Sequence, residues 1–134
     1  MPIIIAPQEV SVQANNSCYA FNVNLGTPVS SDNCSLTSVT NDAPNVFSLG
    51  TTLVTWTATD SSGNIKTATQ FITVVDVTLP SIVAPSAITI SATSNCGVEN
   101  LDLGTPVVTD NCSVASVTNN APIIFPLGNT TVVW

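Results

Sequence analysis

The sequence predicts an all-β chain of tandem antiparallel β-sandwiches, the second one incomplete. Three observations carry that expectation. Thr, Ser, Val and Asn dominate, while Glu, Lys, Gln, Arg and Met are scarce, which favours strands and turns over helices. Apolar residues alternate with polar ones instead of recurring at helical spacing. The chain also repeats itself at one constant offset without a gap: Cys18 recurs as Cys96, Cys34 as Cys112 and Trp56 as Trp134.

The elements follow in order. Ile3-Ile4-Ile5-Ala6 is a short apolar run closed by Pro2 and Pro7, and it returns as Ser81-Ile82-Val83-Ala84 between Pro80 and Pro85. Val10-Ser11-Val12 and Phe21-Asn22-Val23-Asn24-Leu25 have a period of two, as does Ile88-Thr89-Ile90. Leu53-Val54-Thr55-Trp56-Thr57-Ala58 alternates more loosely, and Phe71–Val75 is a run of apolar and β-branched residues. Turn signals separate these runs at Asn15-Asn16-Ser17, Ser30–Asn33, Asn41–Pro44 and Ser61–Asn64. This spacing suggests about seven strands per unit, closed by a hairpin of Thr52–Ala58 and Ile65–Val75. Gly63 supplies the positive φ its turn needs, and Asp60 accepts hydrogen bonds from turn amides. One unit is expected over residues 2–78 and a second over 79–134, the latter stopping before the counterpart of the final strand. The short Pro-bearing link Asp76–Pro80 should limit swing between them.

Charge excludes whole classes of function. Only 7% of residues are charged, with one Lys, no Arg, no His and a net charge of −7. Such a chain cannot neutralise a row of phosphates, nor is it drawn to an anionic membrane. No apolar stretch reaches the roughly 18–20 residues of a membrane span, so direct insertion is not expected either. No signal peptide is visible after Met1, so an export signal would lie outside this sequence.

The chemistry-bearing residues are few. Four cysteines form two equivalent pairs, equally spaced in each unit. Without histidines or a Cys-x-x-Cys pair they do not resemble zinc ligands. They allow three pairings, and the repeat favours Cys18–Cys34 and Cys96–Cys112, each stabilising by about 3 kcal/mol and pointing to an oxidising compartment. No His is present to activate a Ser or Thr, and a Ser-Lys arrangement would rest on Lys66 alone, so no catalytic residues and no enzyme activity are expected. Of the eight acids, only Asp32 and Asp110 recur as acids, since Asp42 answers Asn120 and Asn24 answers Asp102. Their place before Asn-Cys fits hydrogen bonding to their own loop. No cofactor or dense metal motif is expected, with calcium at Asp60 or Asp76 the alternative. Trp56 and Trp134 read as core residues rather than sugar platforms. Asn15, Asn33, Asn111 and Asn129 lie in Asn-x-Ser/Thr triplets that this composition produces by chance. Lys66 has no visible partner for a crosslink to asparagine.

Several stretches together resemble the hyalin repeat (HYR) module: Asp32-Asn33-Cys34, Phe47-Ser48-Leu49-Gly50-Thr51-Thr52-Leu53-Val54, Ala58-Thr59-Asp60-Ser61-Ser62-Gly63-Asn64 and Phe71–Asp76. The resemblance spans the first unit and continues through the second to Trp134. It implies an immunoglobulin-like sandwich used in tandem in extracellular adhesion proteins. Animal members typically carry four cysteines per module; here Ala6 stands at one of those positions and the one near Ala68 is absent, which by resemblance leaves Cys18 to Cys34. The scarcity of Lys and Arg is similar to the bacterial branch, in which such modules are strung together in large surface adhesins.

The function expected is therefore non-catalytic: a repeat in the stalk of an extracellular, cell-surface adhesin or filament. Its partners would be neighbouring repeats of the same chain, with other surface proteins or glycans as further candidates and no nucleic acid. One alternative makes each module a ligand binder for carbohydrate or protein, with Tyr19 as an exposed aromatic. The other takes Trp134 as the end of the chain and makes a fibre subunit assembled by β-strand exchange.

Overall fold

A computed structural model describes residues 1–15, 17–92 and 97–134. The protein is all-β and divides into two units, Met1–Val77 and Thr78–Trp134.

Unit 1 is built on one long hairpin. The β-branched run β7 (Gly50–Asp60) turns at Ser61–Asn64 and returns as β8 (Ile65–Val75), each 11 residues long. Their ladder runs from Thr59↔Ile65 to Gly50↔Val74. Gly63 takes φ +81° in the turn, a conformation strained for any residue with a Cβ. Asp60 Oδ1 accepts from the N–H groups of Ser62 (2.9 Å) and Asn64 (2.8 Å). The hairpin extends into a four-stranded sheet of order β2-β8-β7-β5, where β2 is Val10–Gln13 and β5 is Leu36–Asn41. Two short antiparallel ladders face it: β1 (Ile3–Ile5) with β4 (Val29–Ser31), and β3 (Tyr19–Phe21) with β6 (Val46–Ser48). Among the described residues this makes eight strands, one more than the turn spacing suggests.

The alternation resolves into two faces. Val54, Trp56 and Ala58 of β7 and Ile72 and Val74 of β8 point inward, leaving Leu53 and Phe71 exposed. They meet Ile4, Ala20 and Phe47 from the short ladders, so the core lies between the two layers. Burying Ile72 completely contributes about 1.5–3 kcal/mol.

One pairing departs from the antiparallel expectation: β2 runs parallel to β8 (Val10↔Ile72 to Gln13↔Val75). The cause is Pro7. The chain leaves β1 in one layer, breaks at Pro7 and re-enters as β2 in the other layer beside the last strand. Gly26, held at φ +78°, packs against this corner, and a Cβ there would lie 3.3 Å from the Pro7 ring. Unit 2 repeats the arrangement with Gly104 at 3.3 Å from Pro85.

Unit 2 contains two antiparallel ladders among its described residues: β9 (Ser81–Val83) with β11 (Val107–Thr109), and β10 (Gly97–Glu99) with β12 (Ile124–Pro126). They stand at the repeat positions of β1 with β4 and β3 with β6.

Candidate functional site

The cysteines stand differently from the predicted pairing. Cys18 and Cys112 are disulfide-bonded, whereas Cys34 carries a free, exposed thiol. Cys96, and with it the expected Cys96–Cys112 bond, lies outside the described residues. The Cys18–Cys34 bond is not made, and the hairpin explains why. Ala14 N–H donates to Val75 O, placing the turn that contains Cys18 at the open end of β7–β8. Ser61 N–H donates to Ser35 O, placing Cys34 at the hairpin tip. An 11-residue strand separates these ends by roughly 30 Å, while a disulfide needs Cα atoms within about 7 Å. Closeness in sequence does not bring the thiols together, because the chain between them travels the length of the unit.

Acids gather at the tip, and their oxygens are engaged by the protein. Asp60 is buried; beyond the two backbone N–H groups on Oδ1, its Oδ2 accepts from Asn64 Nδ2 at 2.7 Å. The Asn64 side-chain hydrogen bond, backed by the N–H groups of Asn64 and Ser62, holds its carboxyl below the usual carboxylate range against the opposing effect of burial. Asp32 Oδ2 accepts from Cys34 N–H at 3.0 Å, and Oδ1 lies 2.9 Å from the Met1 α-ammonium. Its pKa is lowered first by the Cys34 N–H and then by the ammonium.

The repeat shows what these positions require. Asp110 Oδ1 accepts from Cys112 N–H at 2.8 Å, as Asp32 does from Cys34. Asp42 Oδ1 accepts from Thr55 N–H at 2.6 Å, and its counterpart Asn120 accepts from Val133 N–H at 2.7 Å. Asn24 accepts from Gly26 N–H at 3.0 Å, and Asp102 from Gly104 N–H at 2.9 Å. Acid and amide exchange freely because each position needs one acceptor oxygen two residues before a turn, or opposite a strand amide.

Trp56 is a core residue, 6% exposed, and its indole N–H donates to Gln70 Oε1 at 3.0 Å. Gln70 is 2% exposed and donates through Nε2 to Gln8 O (2.7 Å) and Leu25 O (2.9 Å). The sequence reading missed Gln70. Its signal is a polar residue in register with Ile72 and Val74 on the inward face of β8.

Tyr19 is exposed, as the ligand-binding alternative requires. It shares the outer face of the β3–β6 ladder with Phe21 and Val46, while Ala20 and Phe47 between them point into the core. Aromatic and aliphatic side chains of this kind offer a flat apolar contact with a phenolic hydroxyl at one edge. In unit 2 the counterparts of Tyr19 and Phe21 are Gly97 and Glu99, so the surface is confined to unit 1. No helix of the described residues is long and apolar enough to cross a membrane.

Comparison with known proteins points to one kind of repeat. The chain is similar to Hyalin of Strongylocentrotus purpuratus, with 32% identity over 98% of the chain. It is likewise similar to Hyalin of Lytechinus variegatus, with 31% identity over 99% of the chain. It spans 12% and 27% of the lengths of these curated relatives. No family model matches the chain, and no solved structure gives a significant match. The similarity supports a hyalin-repeat-like module.

Proposed function

We propose that the chain is a run of non-catalytic modules from the stalk of an extracellular, cell-surface adhesin or filament. Each module is read as an immunoglobulin-like sandwich, and the chain as a member of the bacterial branch of hyalin-repeat proteins. The carrying observation is the gapless internal repeat joined to near full-length similarity to Hyalin. Disulfide-bonded Cys18 and Cys112 fit an oxidising compartment. The near absence of cationic side chains supports the bacterial placement. The partners are neighbouring repeats of the same polypeptide. The decisive measurement is the mass of the native polypeptide under denaturing, non-reducing conditions. A mass far above 13.8 kDa is expected, and a mass at that value overturns the stalk.

No resident cofactor belongs to this reading. Asp32, Asp60, Asp102 and Asp110 act as turn acceptors, and the oxygens of Asp60 are taken by Ser62 and Asn64. An excess of EDTA, or added calcium, should leave the melting temperature of the chain unchanged, and a calcium-dependent rise would identify a cation site.

The exposed Tyr19–Phe21–Val46 face favours a second reading, in which unit 1 also binds a carbohydrate or protein ligand. Glycan-array binding that is lost in the Tyr19→Ala, Phe21→Ala double variant would establish it. Silence on the array leaves the stalk alone.

A further inference from the structure

The β3–β6 ladder ends at the rung Phe21↔Val46, and beyond it the chain leaves both strands. Between the two departing segments lies a cleft of about 240 Å³. Phe47, Val23, Leu25 and Ala43 make its apolar part, and Asn22 and Asn45 bring their side-chain amides to it. The lining falls within residues 22–47, far from both ends of the sequence. Both segments are held in shape by other asparagines: Asn24 Oδ1 accepts from Gly26 N–H at 3.0 Å, and Asn41 Oδ1 from Ala43 N–H at 3.1 Å. Asn22 and Asn45 differ, because among the described residues neither side chain makes a hydrogen bond. The backbone accounts for asparagine at position 22, where φ is +55°, as it is +53° at the counterpart Asn100. It does not account for Asn45, whose counterpart is Ile123. A fold that accepts isoleucine at this position has no structural need of the Asn45 amide.

We propose that this cleft binds the acetamido group of a neutral N-acetylated sugar, whose ring rests on the exposed Phe21–Val46 pair. The acetamido methyl enters the apolar part, against Phe47, Val23, Leu25 and Ala43. Asn22 and Asn45 each offer an NH₂ and a carbonyl oxygen, so one donates to the acetamido carbonyl and the other accepts from its N–H. The apolar C–H face of the ring covers Phe21, which is 58% exposed. Charge selects among sugars. No charged group lines the cleft, and a chain of net charge −7 repels a carboxylated, sulfated or phosphorylated glycan. A plain hydrocarbon would desolvate both amides without pairing them, and a sugar without the acetamido group leaves the apolar part unfilled. In unit 2 Glu99 and Ile123 replace Phe21 and Asn45, so the site belongs to unit 1 alone. This specificity rests on the second reading, in which unit 1 binds a carbohydrate, and it holds whether or not the module belongs to a stalk.

The test titrates the 134-residue chain with tri-N-acetylchitotriose and with cellotriose, its counterpart with hydroxyls in place of the acetamido groups. In a ¹⁵N–¹H spectrum the side-chain amide signals of Asn22 and Asn45 are expected to shift saturably with the acetylated sugar. Cellotriose should bind about tenfold more weakly, having neither the methyl nor the amide to offer. Asn45→Ile copies the residue of unit 2, so the fold accommodates it, and it should weaken the acetylated sugar about tenfold. Equal affinity for the two sugars, or unchanged affinity in Asn45→Ile, overturns the proposal. If the Tyr19→Ala, Phe21→Ala double variant still abolishes binding in that case, the carbohydrate reading survives with its ligand on the outer face alone. Silence with both sugars also overturns the proposal, while a glycan-array hit by another sugar that depends on Tyr19 and Phe21 would leave the carbohydrate reading intact.

Discussion

At position 70 a glutamine stands where the alternation of β8 calls for an apolar side chain, and it ties β7 and two loops together at once. Its amide satisfies the Trp56 indole and the carbonyls of Gln8 and Leu25, all at or near the core. Gln70→Leu keeps the volume and leaves those groups without it, so the variant should lose about 1–3 kcal/mol in urea unfolding. Asp60 works through charge as well as geometry. Its folded pKa is lowered, so its contribution is present above the ordinary carboxylate value, about 4, and is lost as pH falls through the lower folded value. The melting temperature should therefore fall on acidification below about pH 4. Asp60→Asn should flatten that acid limb while lowering stability at neutral pH, because an amide NH₂ then meets the Asn64 Nδ2 donor. The role of Asp32 and Asp110 could be read from Asp-Asn-Cys alone, since an acid two residues before a turn amide is a local device. Gln70 could not be read that way, because its partners lie 14, 45 and 62 residues away.

At the scale of elements, the β7–β8 hairpin was the most legible part of the chain. Its β-branched runs and Asp-Ser-Ser-Gly-Asn turn act over short distances, and only the strand ends moved, to Gly50–Asp60 and Ile65–Val75. The parallel β2–β8 pairing was hidden, since it joins residues far apart in the chain after a change of layer at Pro7. The Cys18–Cys34 pairing failed for a related reason: spacing along the chain does not report which end of a strand a residue reaches. Alkylation checks the outcome. Iodoacetamide should modify Cys34 in the folded, unreduced chain and leave Cys18 and Cys112 untouched until a reductant is added. Protection of Cys34 would contradict the assignment.

For the whole molecule, the internal repeat was the largest feature legible in the sequence, and it makes unit 1 a template for unit 2. Corners recur at Gly26 with Pro7 and at Gly104 with Pro85, and turn acceptors recur even where acid and amide exchange, as at Asn24 and Asp102. A composition with one Lys and a net charge of −7 leaves little scope for ion pairs within either unit.

The parallel pairing of β2 with β8 has a mechanical consequence. Met1 lies beside Asp32 at the hairpin tip, whereas β8 ends at Val75 at the opposite end. Tension applied to the two ends of unit 1 therefore pulls β2 and β8 past one another along their own axes. The rungs from Val10↔Ile72 to Gln13↔Val75 lie across that pull and share the load in shear, instead of opening singly. Attachment through Thr51→Cys and Val75→Cys, in a Cys34→Ser background, would instead grip neighbouring strands at the open end of the hairpin and unzip it rung by rung. In single-molecule force spectroscopy of the 134-residue chain, unit 1 should yield at a higher force when pulled between Met1 and Val77 than through that pair. Equal forces would mean that the parallel rungs bear no load. A strand order chosen this way makes the direction of pulling, as much as the free energy of folding, the measure of how firmly a repeat holds.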